Sequence, residues 1–272
     1  TPFSEYWPVM TTDRQTMYFT RRLEQNAAGN RQLRRRTRRF NEEIYVSKRK
    51  EDGWREAKKP AGNLNSTRNE GAITIAPNGK YIIFTGCQWG DTRGRCDLYM
   101  ARRRKGRWTT PRNLGRPVNT RAKETQPSIS FDGQTLYFAS DRGNSSRKLD
   151  IYRSQRQEDG SWGKPENLGK PINTDQTEQS PFIHADNKTL FFSSQGHMGM
   201  GSSDLFYARR KANGEFGEPQ NLGYPINTKG EDIGLFVSSD GRTAYFASRK
   251  PEQGEGRLDL YRFQLPEKAR AQ

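Results

Sequence analysis

One unit of about 54 residues recurs along this chain of 272 residues, and each copy begins with an acid. The acids are Glu5, Glu70, Glu124, Glu178 and Asp232, and the last four stand 54 residues apart. Eight residues after each acid comes a turn residue: Asp13, Asn78, Asp132, Asp186 or Asp240. Six residues further on is always a phenylalanine: Phe19, Phe84, Phe138, Phe192 or Phe246. Agreement across five registers identifies five structural repeats.

Each repeat predicts an antiparallel sheet of four strands. In the third repeat the runs PSISF and TLYFAS alternate at period two around Asp132-Gly133, which is a strong hairpin signal. A third run, LDIYRS, and a short apolar segment from Trp162 to Leu168 follow. β-branched and aromatic residues of this kind favour strands.

Small four-stranded sheets must stack face to face around an axis to bury their apolar surface. The sequence therefore predicts an all-β, five-bladed β-propeller over residues 1–264, with residues 265–272 as an exit linker. The recurring Phe and Tyr side chains are expected to form the core between blades. The fifth repeat ends after its third strand. Either a strand from the amino terminus that completes this blade is missing from the sequence, or the closing blade has three strands.

The composition narrows the classes of function. A mean hydropathy of −1.10 would suggest disorder in an unpatterned chain, but the period-two alternation argues against it. No apolar run approaches the roughly 18 residues of a membrane span. The net charge of +16 would be consistent with a nucleic-acid partner. That partner is rejected, because the charge is spread over both faces of the propeller and no reading motif is present.

Departures from the repeat are the best candidates for a partner site, since they distinguish single loops of a uniform scaffold. The first repeat carries an arginine-rich insertion between its second and third strands. The second repeat has an aromatic residue, Trp89, in the equivalent loop. The predicted partner-binding residues are Arg21, Arg22, Arg34, Arg35, Arg36, Arg38, Arg39 and Trp89.

The two cysteines of the chain, Cys87 and Cys96, bracket that second loop. One cysteine ends the second strand and the other begins the third, so the two can meet across the base of the hairpin. A disulfide is therefore favoured over free thiols. A metal site needs more ligands than two cysteines. A disulfide predicts an oxidising compartment.

The five leading acids are expected to encircle the top of the central channel. Five carboxylates close together would repel each other, which would raise some of their pKa values or favour a bound cation. Alternatively, each acid pairs with an arginine or caps a neighbouring loop, and this interpretation is preferred. The Asn-Thr pairs also recur once per repeat and are interpreted as scaffold: Asn119-Thr120, Asn173-Thr174 and Asn227-Thr228. No metal site and no cofactor is predicted.

Catalytic motifs such as GxSxG, HExxH and the Walker loop do not occur in this sequence. With two histidines and no assembled nucleophile and base, the chain is predicted not to be an enzyme, and a propeller lyase or hydrolase is the weakest alternative. Binding of a glycan or peptidoglycan fragment at the channel mouth is a further alternative, because aromatic side chains stack on sugars.

The segments EGAITIAPNGKYIIFTGC, ETQPSISFDGQTLYFASDR and PxNLGxPINT resemble the WD-like propeller repeats of OmpA-family proteins in gliding and oral anaerobic bacteria. More narrowly, they resemble the propeller of a type IX secretion system component. The resemblance covers nearly the whole chain. It implies a non-catalytic scaffold in the periplasm, associated with the outer membrane, whose partners are other envelope proteins of the secretion system. In that family a separate domain, not in this chain, binds peptidoglycan.

Overall fold

Five antiparallel β-sheets form the five blades of a propeller in the computed structural model, which describes residues 3–24, 40–143, 146–249 and 258–270. The first strand of each blade contacts the first strands of its neighbours, and the contact between blades five and one closes the ring. The predicted fold class is confirmed.

The strands are numbered in chain order. Blade one contains β1 (Ser4–Met10), β2 (Thr16–Glu24), β3 (Phe40–Lys50) and β4 (Gly53–Trp54). Blade two contains β5 (Asn69–Ile75), β6 (Tyr81–Cys87), β7 (Cys96–Arg104), β8 (Arg107–Trp108) and β9 (Arg112–Asn113). Blade three contains β10 (Glu124–Ile129), β11 (Thr135–Ser140), β12 (Asp150–Gln155) and β13 (Glu166–Asn167). Blade four contains β14 (Glu178–Ile183), β15 (Thr189–Ser194), β16 (Asp204–Arg209) and β17 (Gln220–Asn221). Blade five contains β18 (Asp232–Val237), β19 (Thr243–Ser248) and β20 (Asp259–Gln264).

The predicted hairpin turn joins β10 and β11. Asp132 accepts a hydrogen bond from the Ser130 hydroxyl at 2.5 Å, and Gly133 has the positive φ of 72° that this turn requires. Both faces of β11 and β15 are buried, because neighbouring blades cover each side. This double burial explains why these two strands carry the continuous apolar runs LYFA and LFF instead of the period-two alternation predicted from the sequence.

The recurring phenylalanines lie in the core between blades, as predicted. Phe19, Phe84, Phe138, Phe192 and Phe246 are all at most 5% exposed. In blade three the ring of Phe138 stacks on that of Tyr152 with centroids 6.0 Å apart.

The fourth strands are only two residues long, and in blades one to four an asparagine adds further hydrogen bonds to the third strand. In blade three the backbone N–H of Leu168 donates to the carbonyl of Ile151 on β12. Asn173 then accepts from the N–H of Ile151 at 2.8 Å and donates to its carbonyl at 3.0 Å. The carboxamide therefore replaces one residue of a β-ladder.

The same asparagine clamp occurs in three other blades. Asn65, Asn119 and Asn227 bond in this way to the backbone of Ile44, Leu98 and Leu205. The recurring asparagine is thus a scaffold residue, as interpreted from the repeat.

Blade five has three strands in the part of the chain that the structure describes. A 3₁₀ turn at Glu267–Ala269 follows β20, and Leu265 and Ala269 are buried in the core cluster between blades four and five. The first residues of the predicted exit linker therefore pack onto the propeller.

Candidate functional site

Four of the five leading acids, all except Glu5, are buried and clamp the loop that enters their blade. Glu178 accepts hydrogen bonds from the backbone N–H of Thr174 at 2.7 Å, from the Thr174 hydroxyl at 2.8 Å and from the Ser194 hydroxyl at 2.7 Å. Its counterparts Glu70, Glu124 and Asp232 accept the same pair of bonds from the Ser or Thr four residues earlier. This geometry matches the loop-capping interpretation of the ring.

Burial raises the pKa of four of these acids above its ordinary value, and the hydrogen bonds oppose that shift. The four are Glu70, Glu124, Glu178 and Asp232. Arg142 adds an ion pair to Glu124 at 3.0 Å. Within the described ranges, no group of three or more His, Cys, Asp or Glu side chains is arranged to hold a metal ion.

The central channel is lined by residues two to four positions after each acid. The residue two positions after the acid has a positive φ, between 47° and 66°, in all five blades: Trp7, Ala72, Gln126, Ser180 and Gly234. Each of these residues lies at a register shift between the first and second strands. The first strand therefore carries a β-bulge that turns one residue toward the axis.

Side chains of neighbouring blades bind the amides at these bulges. The N–H of Gln126 donates to the Thr85 hydroxyl at 3.0 Å, and the N–H of Ser180 donates to the side-chain oxygen of Gln126 at 2.8 Å. The indole of Trp7 crosses the axis and donates to the Ser180 hydroxyl at 3.0 Å. A cavity of about 40 Å³ remains, which has room for water but not for a sugar ring. A larger ligand must therefore bind at a mouth of the channel.

The lower mouth, at the turns between first and second strands, is an apolar funnel of about 80 Å³. Met10, Ile75 and Ile129 contribute to its wall, and Phe131 at its edge is 46% exposed. Arg14 also lines it and forms an ion pair with Asp240 at 2.8 Å.

The upper face carries the loops between second and third strands, because antiparallel pairing places these loops beside the starts of the first strands. Arg21, one of the predicted partner-binding residues, pairs with Glu5 at 2.6 Å and lies 4.4 Å from the centre of the Tyr45 ring. Arg22 lies over the ring of Phe40 at 3.9 Å. The other predicted arginines lie outside the described residues: Arg34, Arg35, Arg36, Arg38 and Arg39.

Trp89 is held within blade two. Its indole N–H donates to Glu70 at 2.7 Å, and its ring packs against Tyr99 with centroids 4.4 Å apart. Cys87 and Cys96 form the predicted disulfide at the base of this loop, with a Cα separation of 4.0 Å. Both features fix the shape of the loop.

The upper face of blade four presents large apolar side chains to solvent, which the sequence did not single out. Met198 is 94% exposed and Met200 is 50% exposed, both in the loop after β15. Tyr224, in the connection from blade four to blade five, is 79% exposed. Asn221 joins the two loops by donating to the carbonyl of Met198 at 3.2 Å. We call Met198, Met200 and Tyr224 the upper apolar patch.

The fold and these surfaces define a five-bladed propeller with a filled axis and an apolar patch on its upper face. No protein-family model and no curated protein matches the chain. Among solved structures, it is similar to a putative TolB from Agrobacterium tumefaciens, at 13% identity over 97% of this chain and 83% of the other, with a TM-score of 0.55. TolB from Acinetobacter baumannii is 17% identical over 98% of this chain and 55% of the other, with a TM-score of 0.54. The α-L-arabinofuranosidase PaAbf62A from Podospora anserina is 12% identical over 96% of this chain and 90% of the other, with a TM-score of 0.60. At these identities the likeness shows the fold alone.

In the described part of the chain there is no helix with the length and apolar character needed to cross a membrane.

Proposed function

We propose that this chain is a non-catalytic scaffold domain that binds other proteins through its upper face. The observation that carries the proposal is the upper apolar patch. Five large apolar side chains are exposed among the described residues, and three of them lie in two loops of this face that a hydrogen bond from Asn221 to Met198 joins. Tyr and Met are enriched in protein interfaces, where the flexible thioether adapts to its partner.

The buried acids support a role without catalysis. Both carboxylate oxygens of Glu70, Glu124 and Glu178 accept hydrogen bonds from the loop that each residue clamps. A general acid or base must reach a substrate proton, which these enclosed groups do not.

The finer proposal is a component of the type IX secretion system like PorE, located in the periplasm and associated with the outer membrane. Its support is the resemblance of the repeats to those of OmpA-family proteins. The disulfide adds support, because such bonds persist in oxidising compartments. The expected partners are other envelope proteins of the same system.

The test is a pull-down from envelope extract, followed by measurement of Kd with each captured protein after purification. The variant Met198→Ser/Met200→Ser/Tyr224→Ser removes the upper apolar patch, and a second variant replaces residues 21–39 by a short Gly/Ser turn. Phe131→Ser is the matched control, since it removes an exposed apolar side chain from the opposite face. We expect the patch variant to lose capture and the control to keep it. If the parent chain, both variants and the control captured the same proteins equally well, the upper face would not be the binding site.

Binding of a glycan fragment is the second candidate, and the exposed ring of Tyr224 is the observation that favours it. Calorimetric titration with peptidoglycan fragments distinguishes the two, because Tyr224→Ser alone would abolish glycan binding while the methionines would be dispensable.

A further inference from the structure

A basic pocket of about 560 Å³ lies at the lower end of β7, on the outside of blade two. Arg102 and Arg104 of β7 and Arg112 of β9 line it, and all three side chains are exposed. In the part of the chain that the structure describes, no acid forms an ion pair with any of them. The pocket therefore concentrates positive charge that the described residues do not neutralise.

The alternation of β7 explains why these arginines share one side of the strand. Arg103, between them, lies over the ring of Trp108 at 5.8 Å, and Trp108 packs edge to face against Tyr18 of blade one with centroids 6.2 Å apart. Successive side chains of a strand point to opposite faces, so Arg102 and Arg104 lie away from this contact. The interface with blade one thus uses Arg103 and leaves its two neighbours to the pocket.

Blade four contains the equivalent position. The carbonyl of Arg102 accepts a hydrogen bond from the N–H of Thr109 at 2.9 Å, where the chain returns toward its sheet. The carbonyl of Arg209 accepts one from the N–H of Gly217 at 2.8 Å, at the same step of blade four. Arg102 therefore corresponds to Arg209.

In blade four this position is occupied by main chain. Nη2 of Arg209 donates to the carbonyl of Lys268 at 2.9 Å and to that of Arg270 at 2.8 Å. The hydroxyl of Tyr207 lies 3.0 Å from the same Lys268 carbonyl, and Ala269 between them is buried. The site on the outside of blade four thus binds a turn of polypeptide through its carbonyl oxygens.

The fourth strands differ in the charge that they bring to this position. Met100 pairs with Arg112 in blade two, as Arg153 pairs with Glu166 in blade three. Glu166 forms an ion pair with Arg153 at 3.1 Å, so blade three neutralises its own cation. In blade four the corresponding residue is Gln220. Of these three blades, blade two is the one that places a guanidinium here.

The course of the chain explains why blade two lacks the segment that blade four has. Arg156 follows β12 as Leu265 follows β20. After Leu265 the chain continues into the 3₁₀ turn that packs on blade four. Arg156 instead forms a β-bridge with Trp162 of its own blade. Blade three therefore does not supply such a turn to the neighbouring pocket.

We propose that the basic pocket of blade two binds an acidic peptide segment of a partner protein. Arg102 donates to main-chain carbonyls of the segment, as Arg209 does in blade four. Arg104 and Arg112 donate to its carboxylates, because a guanidinium presents paired N–H groups that match a carboxylate. This site goes beyond the proposed function, since it lies on the lower side of the propeller and does not involve the upper apolar patch.

A labelled peptide tests the pocket by fluorescence polarisation with the 272-residue chain. The probe is the peptide of residues 264–270, QLPEKAR, carrying Lys268→Glu and Arg270→Glu, because this segment fits the equivalent site of blade four. We expect saturable binding with a Kd below about 1 mM at low ionic strength, weakened by added salt. The neutral peptide QLPQQAQ should bind at least about tenfold more weakly, since it lacks carboxylates. No binding, or equal binding of the two peptides, would overturn the proposal.

The protein variant Arg102→Gln/Arg104→Gln/Arg112→Gln should weaken the acidic peptide by about tenfold or more, because the donors to its carboxylates are lost. The matched control removes the same charge from exposed arginines outside the pocket: Arg121→Gln/Arg147→Gln/Arg242→Gln. It should bind like the parent chain. Circular dichroism and Tm report folding separately. Equal weakening in both variants would show that the peptide responds only to net charge, and the pocket would not be its site.

Two further measurements separate other sites and other anions. Arg209→Gln should leave peptide binding unchanged, and loss of binding in this variant alone would move the site to blade four. Cosedimentation with phosphatidylglycerol vesicles tests a membrane surface. If the vesicles, and not the acidic peptide, bind the parent chain and lose the variant that lacks the three pocket arginines, the ligand is an anionic lipid surface and the proposal fails.

Discussion

Glu178 holds its loop by hydrogen bonds, while burial disfavours the ionised form of the same carboxyl group. It accepts three hydrogen bonds from Thr174 and Ser194, so removing it would leave buried donors unpaired. Burial nevertheless raises its pKa, which means that the folded protein holds the proton more tightly than the unfolded chain does. The contribution of this group to the free energy of unfolding is therefore complete below the ordinary value of 4.5 and declines as the pH rises through the raised pKa.

Glu178→Gln should remove this pH dependence, since glutamine is a neutral isostere of the protonated acid. We expect the Tm of the variant, relative to that of the parent, to increase as the pH is raised from 4.5 towards 8. Thermal unfolding across this range measures the difference. Glu158→Gln, on an exposed turn, is the control and should follow the parent. Parallel curves for Glu178→Gln and the parent would contradict the assignment.

Among the elements, the fourth strands depend most on a single side chain. β13 contributes two residues to its sheet, and Asn173 shares the pairing with Ile151 with the backbone of Leu168. Its amide also donates to Asn167 at 2.7 Å, which ties the clamp to the strand itself.

Asn173→Ala should lower the free energy of unfolding by about 2–4 kcal/mol, because the buried N–H of Ile151 loses its partner and the carbonyl of Ile151 keeps only the bond from Leu168. Urea unfolding followed by tryptophan fluorescence measures the change. Asn213→Ala is the comparison, since Asn213 bonds only within an exposed turn and its loss should cost well under 1 kcal/mol. Equal losses for the two variants would show that the carboxamide does not carry the pairing.

The elements also show what the sequence could and could not predict. The hairpins and the Phe138 core position followed from local rules that recur in each repeat, and the disulfide followed from the two cysteines that bracket one loop. The bulges did not, because Trp7, Ala72 and Gln126 share no residue type that marks a positive φ. The exposure of Met198 depends on how the loop after β15 packs against the connection to blade five, and the repeat pattern does not record that packing.

At the scale of the whole molecule, the ring closes on a filled axis. Trp7 of blade one reaches across to Ser180 of blade four and lies against Gly234 of blade five. A Cβ added at Gly234 would come within 2.5 Å of the Trp7 ring. The axis therefore couples blades that are not neighbours in sequence.

Gly234→Ala tests this packing against a glycine with the same backbone. Gly79 has a φ of 64°, close to the 66° of Gly234, and a Cβ there meets nothing within 4 Å. Gly79→Ala should cost about 1–2 kcal/mol for the left-handed conformation, and Gly234→Ala should cost about 1–3 kcal/mol more for the clash. Urea unfolding of both variants gives the difference. Equal costs would mean that the axis has room to spare.

The filled axis also limits how the number of blades can change by gene duplication. Because the repeats share one register, recombination between two of them would add or delete a whole blade without breaking a turn. An added blade would widen the ring and draw Trp7 away from Gly234, and a deleted blade would leave the indole no space. The contacts of Trp7 at the axis therefore fit a ring of five blades.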